Sequence, residues 1–340
     1  MTHYSSLITH KQMRHWYSKN LISLLLLPLS WLFCATAWLR RAAYRRGVLR
    51  VYHSTVPVIV VGNISVGGSG KTPLVIWLAD ALKRRGYRPG IVSRGYGGAA
   101  REFPRRVHPD DDPFEVGDEP VLLAQRGGCP VMIDPRRARA AQALEHECDV
   151  LIADDGLQHY ALGRTLEIAV IDVAHGFGNG YCLPSGPLRE PVSRLREVDA
   201  VVQHGARTLP DVPVTGVMRL AAQGARNMRD GTTVALEEFI RTPVHAVAGI
   251  GHPARFFTQL RAAGLTVIEH AFPDHHRYSA DDLAFGDEYP IIMTEKDAVK
   301  CKDFTEPHVW CVPVTAHFDE GFEQRIISLL ECKTHGQKTA

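Results

Sequence analysis

Ser65-Val66-Gly67-Gly68-Ser69-Gly70-Lys71-Thr72 lies between an apolar run of β type at residues 56–61 and a helical pattern at residues 73–85. Strand, glycine-rich loop and helix in that order form a cradle for phosphate. Backbone N–H groups of such a loop point inward, and the helix N-terminus adds partial positive charge. In the pattern G-x-x-x-x-G-K-[ST] the lysine reaches the β- and γ-phosphates and the hydroxyl binds Mg²⁺. Those positions are Lys71 and Thr72. Ser65 stands where the first glycine is usual, while Gly67 and Gly68 still give the loop positive-φ freedom. All eight residues are therefore candidates for holding a nucleoside triphosphate.

A second signal agrees with the first. The apolar run at 149–153 ends in Asp154-Asp155-Gly156. An apolar strand closed by acidic residues has the form of a Walker B element, which holds Mg²⁺ beside the phosphate loop. Asp154 and Asp155 are the candidate metal residues, together with Thr72. Alone, such a run is more often a turn; downstream of a phosphate loop the balance reverses.

Outward from these motifs the chain alternates strands and helices. Strands are expected at 57–64, 89–92, 131–133, 166–173 and 198–203, with helices at 73–85, 121–125 and 135–147. The continuous apolar character of the first strand predicts a parallel strand covered on both faces. The loop Ser93-Arg94-Gly95-Tyr96-Gly97-Gly98 leaves a strand's carboxyl end, where open α/β sheets place ligands. Residues 183–191 are too rich in Pro and Gly for an element and read as a functional loop. Near 204–214 the chain changes character. A second α/β unit follows, with strands at 244–250, 266–271, 291–293 and 309–314 and helices at 253–263, 280–285 and 322–330. The fold expected is α/β, with two Rossmann-like, P-loop NTPase-type lobes. The expected divisions are an N-terminal membrane-associated segment (1–50), a nucleotide-binding domain (51–210), a linker region (211–240) and a smaller C-terminal domain (241–340).

The N-terminal segment is distinctive. Residues 21–39 carry no charge, and as one helix they would span about 28 Å, close to the hydrocarbon thickness of a bilayer. Pro28 is expected to kink it, and Trp31 and Trp38 suit an interface. Arg40, Arg41, Arg45, Arg46 and Arg50 follow at once, which favours a cytoplasmic main body and attracts anionic headgroups. The pattern does not decide between spanning the bilayer and lying in one leaflet.

Composition excludes other classes. The 340 residues suit two domains, and 45% hydrophobic with 22% charged content is ordinary for a folded chain. A net charge of +2 argues against nucleic-acid binding. Seven scattered cysteines without a C-x-x-C point to reduced thiols, not a disulfide frame or a zinc site.

Three readings of the nucleotide site remain at this level: a kinase with a membrane-embedded acceptor, a dimerising P-loop switch, and an ATP-dependent ligase. Such switches usually carry a lysine before the paired glycines, where this chain has Val66. The nearest run to a guanine reader is Thr294-Glu295-Lys296-Asp297, with Glu in place of Asn. The apolar N-terminus favours a lipid acceptor.

The chain resembles the tetraacyldisaccharide 4′-kinase family. The resemblance rests on Gly62-Asn63-Ile64-Ser65, the 93–98 loop, Gly117-Asp118-Glu119-Pro120 and Asp154-Asp155-Gly156-Leu157-Gln158-His159. It continues through Gly186-Pro187-Leu188-Arg189-Glu190, Gly249-Ile250-Gly251-His252-Pro253, Asp274-His275 and the block from Met293 to Lys300. It implies transfer of the γ-phosphate of ATP, with Mg²⁺, to the 4′-hydroxyl of tetraacyldisaccharide 1-phosphate at the cytoplasmic face of a bacterial inner membrane. It also implies two lobes joined by a two-stranded linker with the active site between them, placed here near 214–220 and 232–235. On the same ground Asp118 is the expected catalytic base, His275 its partner from the second lobe, and Lys71 and Arg189 the cations that steady the γ-phosphoryl group. Without the resemblance Asp118 reads equally as a helix cap. Arg94 and Arg189 read as ligands of the substrate phosphate or as loop braces, and His276 reads as structural.

Overall fold

The computed structural model describes residues 14–205, 209, 211–302, 304 and 306–338. Residues 1–13 of the expected N-terminal segment, and 206–208 and 210 at the expected boundary, lie outside the described residues. After a 3₁₀ turn (Arg14–Trp16) come a one-turn helix, α1 (Leu21–Leu25), and a long one, α2 (Leu27–Arg45). The first lobe then runs β1 (Val58–Gly62), α3 (Lys71–Arg84), β2 (Pro89–Ser93), β3 (Arg105–Val107), α4 (Pro113–Val116), α5 (Asp118–Gly127), β4 (Val131–Ile133), α6 (Arg137–Leu144), β5 (Val150–Ala153), β6 (Leu166–Asp172), β7 (Ala200–His204) and β8 (Gly216–Ala222). The second runs β9 (Ala225–Asn227), β10 (Thr233–Val234), β11 (Val244–Ala248), α7 (Pro253–Ala262), β12 (Val267–Ala271), β13 (Ile291–Thr294), α8 (Glu295–Ala298) and β14 (Val309–Val312). The chain ends in β15 (Val314–Phe318) and α9 (Phe322–Lys338).

Nine strands form the large sheet in the order β15-β8-β7-β6-β1-β5-β2-β4-β3. Its interior strands run parallel, while β3 and β15 close the two edges antiparallel. Every residue of β1 is buried, as its unbroken apolar run predicts. Leu74, Val75, Leu78 and Leu82 of α3 cover one face of the sheet. Each such Leu, fully buried, stabilises the lobe by about 1.5–3 kcal/mol. The second sheet has the order β10-β9-β14-β13-β11-β12.

The lobes divide differently from the expected boundaries. β8 is not a free linker: it pairs with β7 in the large sheet. Its antiparallel partner is β15, with Val314 opposite Ala222 and Phe318 opposite Met218. The two-stranded connection is thus 216–222 with 314–318, and the expected run at 232–235 instead pairs with β9 inside the second sheet. The C-terminal segment likewise leaves the second lobe. Phe322, Ile326, Ile327 and Leu330 of α9 join the core around Ile59 and Leu74. Phe318 and Phe322 stack at 4.3 Å and both rings meet Trp77. An aromatic stripe needs a large apolar acceptor, and α3, packed against β15, offers Trp77 to it.

The N-terminal segment also departs from expectation. The run is interrupted at Leu26, two residues before Pro28, and resumes as α2 with proline in its first turn, where a missing N–H costs nothing. Among the described residues no helix is long and apolar enough to cross a membrane. The serines face the protein: Ser30 donates to the Cys182 carbonyl at 2.8 Å, and Ser185 donates to the Ser23 carbonyl at 2.6 Å. The hydrophobic side chains face outward. Leu25 is 70% exposed and Trp31 66% exposed, with Leu21, Leu32, Trp38 and Leu39 similarly bare. The expected helix at 280–285 is a 3₁₀ turn, Ala280–Leu283. None of the seven cysteines is bridged.

Candidate active site

Both sheets aim the carboxyl ends of their parallel strands at one cleft of about 1410 Å³. Its floor is the phosphate loop, the link between β1 and α3 at the point where the strand order reverses. Gly70 caps α3 in the left-handed region at φ 89°, and a Cβ there would lie 2.8 Å from Met218 and 3.0 Å from His204. Only glycine fits. Ser65 and Val66 are tied to the 183–191 loop: Ser65 bridges Leu188, and the Val66 N–H donates to the Pro187 carbonyl at 2.8 Å. Gly67, Gly68, Ser69, Lys71 and Thr72 line the open cleft.

Lys71 Nζ lies 3.5 Å from Asp155 Oδ1, and Arg189 Nη1 lies 3.2 Å from Oδ2 of the same carboxylate. Burial raises the Asp155 carboxyl, but these two cations outweigh it and hold it below the ordinary range. Its neighbour behaves oppositely. Burial, with the charges of Glu119 and Asp155, pushes Asp154 well above the usual carboxylate range. Asp154 accepts from Ser93 Oγ at 3.1 Å through one oxygen, while the other is buried and has no partner among the described residues. An orphaned, strongly disfavoured carboxylate oxygen beside Thr72 and Asp155 fits a hard divalent cation, which takes oxygen ligands.

Asp118 is 4% exposed and occupies the first turn of α5, where Gly117 is the cap; the carboxylate is not an N-cap. Gly117 itself stands at φ 97°, and a Cβ on it would approach the Tyr96 carbonyl to 2.7 Å. That close packing sets the 93–98 loop against α5. His275, from the loop after β12, reaches across the cleft. Its Nδ1 lies 3.0 Å from Asp118 Oδ2 and 3.2 Å from Oδ1. Burial pushes the Asp118 carboxyl up; the His275 hydrogen bond and the Lys296 charge more than offset this and leave it below the ordinary value. The same hydrogen bond raises His275 above the ordinary histidine range. Asp155 (φ 46°) and His275 (φ 60°) both hold left-handed backbone, as does Asp211 among the described non-glycine residues. A conformation this sparsely populated persists where the surroundings over-determine it, as at a site.

His276 belongs to the structure, as expected: it pairs with Asp282 at 3.2 Å and stacks on Phe272. Arg94, Tyr96, Arg137 and Gln158 line the same cleft, as does the inner face of α2 through Phe33, Thr36, Ala37 and Arg40. Behind Arg189 lies a buried polar network. Glu190 accepts from Gln158 at 2.8 Å and from Tyr160 at 2.6 Å, and Arg194, itself bonded to Glu167 at 2.5 Å, stands 3.5 Å away.

A sequence pattern described as tetraacyldisaccharide-1-P 4′-kinase matches residues 22–331. The chain belongs to that family. It is 51% identical over 335 residues to a tetraacyldisaccharide 4′-kinase of Nitrosococcus oceani, covering 97% of this chain and 96% of the relative. It is 53% identical over 308 residues to that of Alkalilimnicola ehrlichii, covering 88% and 90% of the two chains. The crystal structure of LpxK from Aquifex aeolicus in complex with ATP superposes with a TM-score of 0.76 at 28% identity, covering 91% of this chain and all of that one.

For a member of this family, three groups at the site escaped sequence reasoning. Lys296 lies in a run that reads as an imperfect guanine reader and as part of a family block, yet it enters the cleft beside Asp118. Glu119 was noted only as part of a motif, yet its charge reaches Asp154. On the other flank Arg255 of α7 bonds Asp172 at the end of β6 at 2.7 Å and stands 3.5 Å from His204 at the end of β7. Terminal residues of two parallel strands are a readable signal for a ligand edge; their partner in another lobe is not.

Proposed function

We propose that this chain uses Asp118 and His275 to direct the 4′-hydroxyl of a tetraacylated disaccharide 1-phosphate onto the γ-phosphate of ATP. The chain is an ATP-dependent tetraacyldisaccharide 4′-kinase acting in lipid A biosynthesis. The observation that carries the catalytic assignment is the pairing of Asp118 with a histidine from the opposite lobe, above a phosphate loop.

A sugar hydroxyl is a weak nucleophile at neutral pH, so it needs a base within hydrogen-bond reach and a group that orients the base. Asp118 accepts the hydroxyl proton as the oxygen attacks phosphorus, and His275, within 3.2 Å of both carboxylate oxygens, orients the base. Charge spreads over the γ-phosphoryl oxygens in the loose transition state, and Lys71 and Arg189 lie where they offset it. Loop N–H groups of residues 67–72 hold the triphosphate. Thr72, Asp154 and Asp155 would hold Mg²⁺, which would supply positive charge against the triphosphate. Arg94 and Arg137 face the cleft as cations for the 1-phosphate. The test is transfer of ³²P from γ-labelled ATP to tetraacyldisaccharide 1-phosphate in mixed micelles. Label is expected in the lipid; ATP hydrolysis without labelled lipid would discard this acceptor.

The bare leucines and tryptophans of α1 and α2 rest on the bilayer at the cytoplasmic face of the inner membrane, with the inner face of α2 forming one wall of the cleft. Monomeric soluble proteins rarely expose so continuous an apolar surface, and an interfacial helix with flanking arginines binds anionic lipid. Replacing Trp31 and Leu32 by glutamate is expected to weaken binding to anionic vesicles by about tenfold or more per residue. Sedimentation equal to wild type would put the anchor elsewhere.

A further inference from the structure

The block from Met293 to Lys300 has no part in the chemistry derived above, yet it makes the most charged contact between the lobes. β13 ends in Thr294, which caps α8 by accepting the Asp297 N–H at 3.1 Å. Asp297 is buried, pairs with Lys300 at 2.6 Å and accepts the Gly249 N–H at 3.0 Å, so the turn is locked within its own lobe. From this fixed base, Glu295 pairs with Arg126 of α5 in the first lobe. Lys296, its side chain 18% exposed, points into the cleft. Its Nζ lies 3.2 Å from Glu119, 3.3 Å from Asp274 and 3.8 Å from Asp118.

The arrangement has a physical reason. Asp118 and Glu119 are consecutive on a helix, and side chains one residue apart do not face each other. Within α5 the Asp118 carboxylate accepts the Glu119 N–H at 2.8 Å, a bond that leaves the Glu119 carboxylate itself unheld. Glu119 also repels Asp154. A single ammonium between Asp118, Glu119 and Asp274 satisfies all three, and it arrives only when the second lobe is seated. Burial pulls Lys296 down, but these carboxylates outweigh it and keep it charged.

We propose that Lys296 is a positioning residue for phosphoryl transfer: from the second lobe it clamps Asp118 and Glu119, so the base is set in place by the same docking that delivers His275. The proposal rests on the reading of Asp118 as base. The groups facing Asp118 are His275 from the loop after β12, Lys296 of α8, Lys300 from the turn that follows, and Glu119 beside it; Asp274 flanks His275.

The test is Lys296→Met, which keeps the stem and removes the charge, with Lys296→Arg beside it, both in the full chain. In Lys296→Met kcat is expected to fall about 10²-fold through a misplaced base, with KM for ATP nearly unchanged. The acid limb of kcat/KM moves up by about one pH unit as Asp118 loses a cation. His275, which the Lys296 charge holds down, titrates at higher pH by NMR of its imidazole protons, a reading that needs no turnover. Lys296→Arg restores the titrations and part of kcat, and it remains informative if the methionine variant fails to fold. Unchanged titrations with kcat near wild type would overturn the proposal. So would a loss of kcat with unmoved titrations, which marks a merely structural lysine. Asp118→Asn separates the two claims: if it is inactive while Lys296→Met is normal, only the lysine proposal fails; if it is active, the base reading fails.

Discussion

Asp118→Asn is expected to lower kcat by about 10²- to 10⁴-fold, the usual contribution of a general base, while ATP still binds. The neutral amide keeps the size of the side chain but cannot take the hydroxyl proton. A second effect follows from the pair. His275 is raised chiefly by its hydrogen bond to Asp118, so without the carboxylate its titration falls back toward about 6.5. The lowered Asp118 pKa gives interlobe stability that is present above its unfolded value and lost as pH falls through the lowered one. The raised His275 pKa gives stability that is full below about 6.5 and lost as pH rises through the raised value. The clamp is therefore strongest between those limits. The asparagine variant should lose this dependence. Stopped-time kinase assays and an NMR titration of His275 check both; turnover within tenfold of wild type would remove Asp118 as base.

Lys71→Ala is expected to cost about 10²- to 10³-fold in kcat, the scale for removing one preorganised charge from a developing oxyanion, and to weaken ATP binding. The fold should hold. Lys71 contacts Asp155 at 3.5 Å, but Arg189 remains on that carboxylate at 3.2 Å, so no buried charge is abandoned. Asp155 loses one of the two cations that keep it low. Label transfer and a thermal melt, wild type beside variant, decide the point. A normal melt with nearly normal transfer would mean that the 65–72 loop does not carry the γ-phosphate.

Much of this was written in local sequence. The phosphate loop declares itself because its chemistry lies in backbone conformation: glycine where φ is positive at 67 and 70, lysine and threonine at the helix start. The acidic end of β5 is legible for the same reason, since one short apolar run fixes both strand and edge. His275 and Asp118, 157 residues apart, were linked by resemblance; nothing in their spacing pairs them.

Tertiary structure alone decided three things. It sent β15 and α9 back to the first lobe, because Phe318 and Phe322 pack on Trp77 and Ile326, Ile327 and Leu330 join its core. It turned the leucines of α1 and α2 outward, because Ser30 donates to the Cys182 carbonyl and the Ser23 carbonyl accepts from Ser185; periodicity shows a stripe but not what faces it. And it set Lys296 among Asp118, Glu119 and Asp274. The sequence by itself determined elements and the groups on their ends, since short-range sterics and hydrogen bonds act over a few residues. Which end meets which across the cleft depended on how two sheets dock, and that is settled by surfaces assembled from the whole chain.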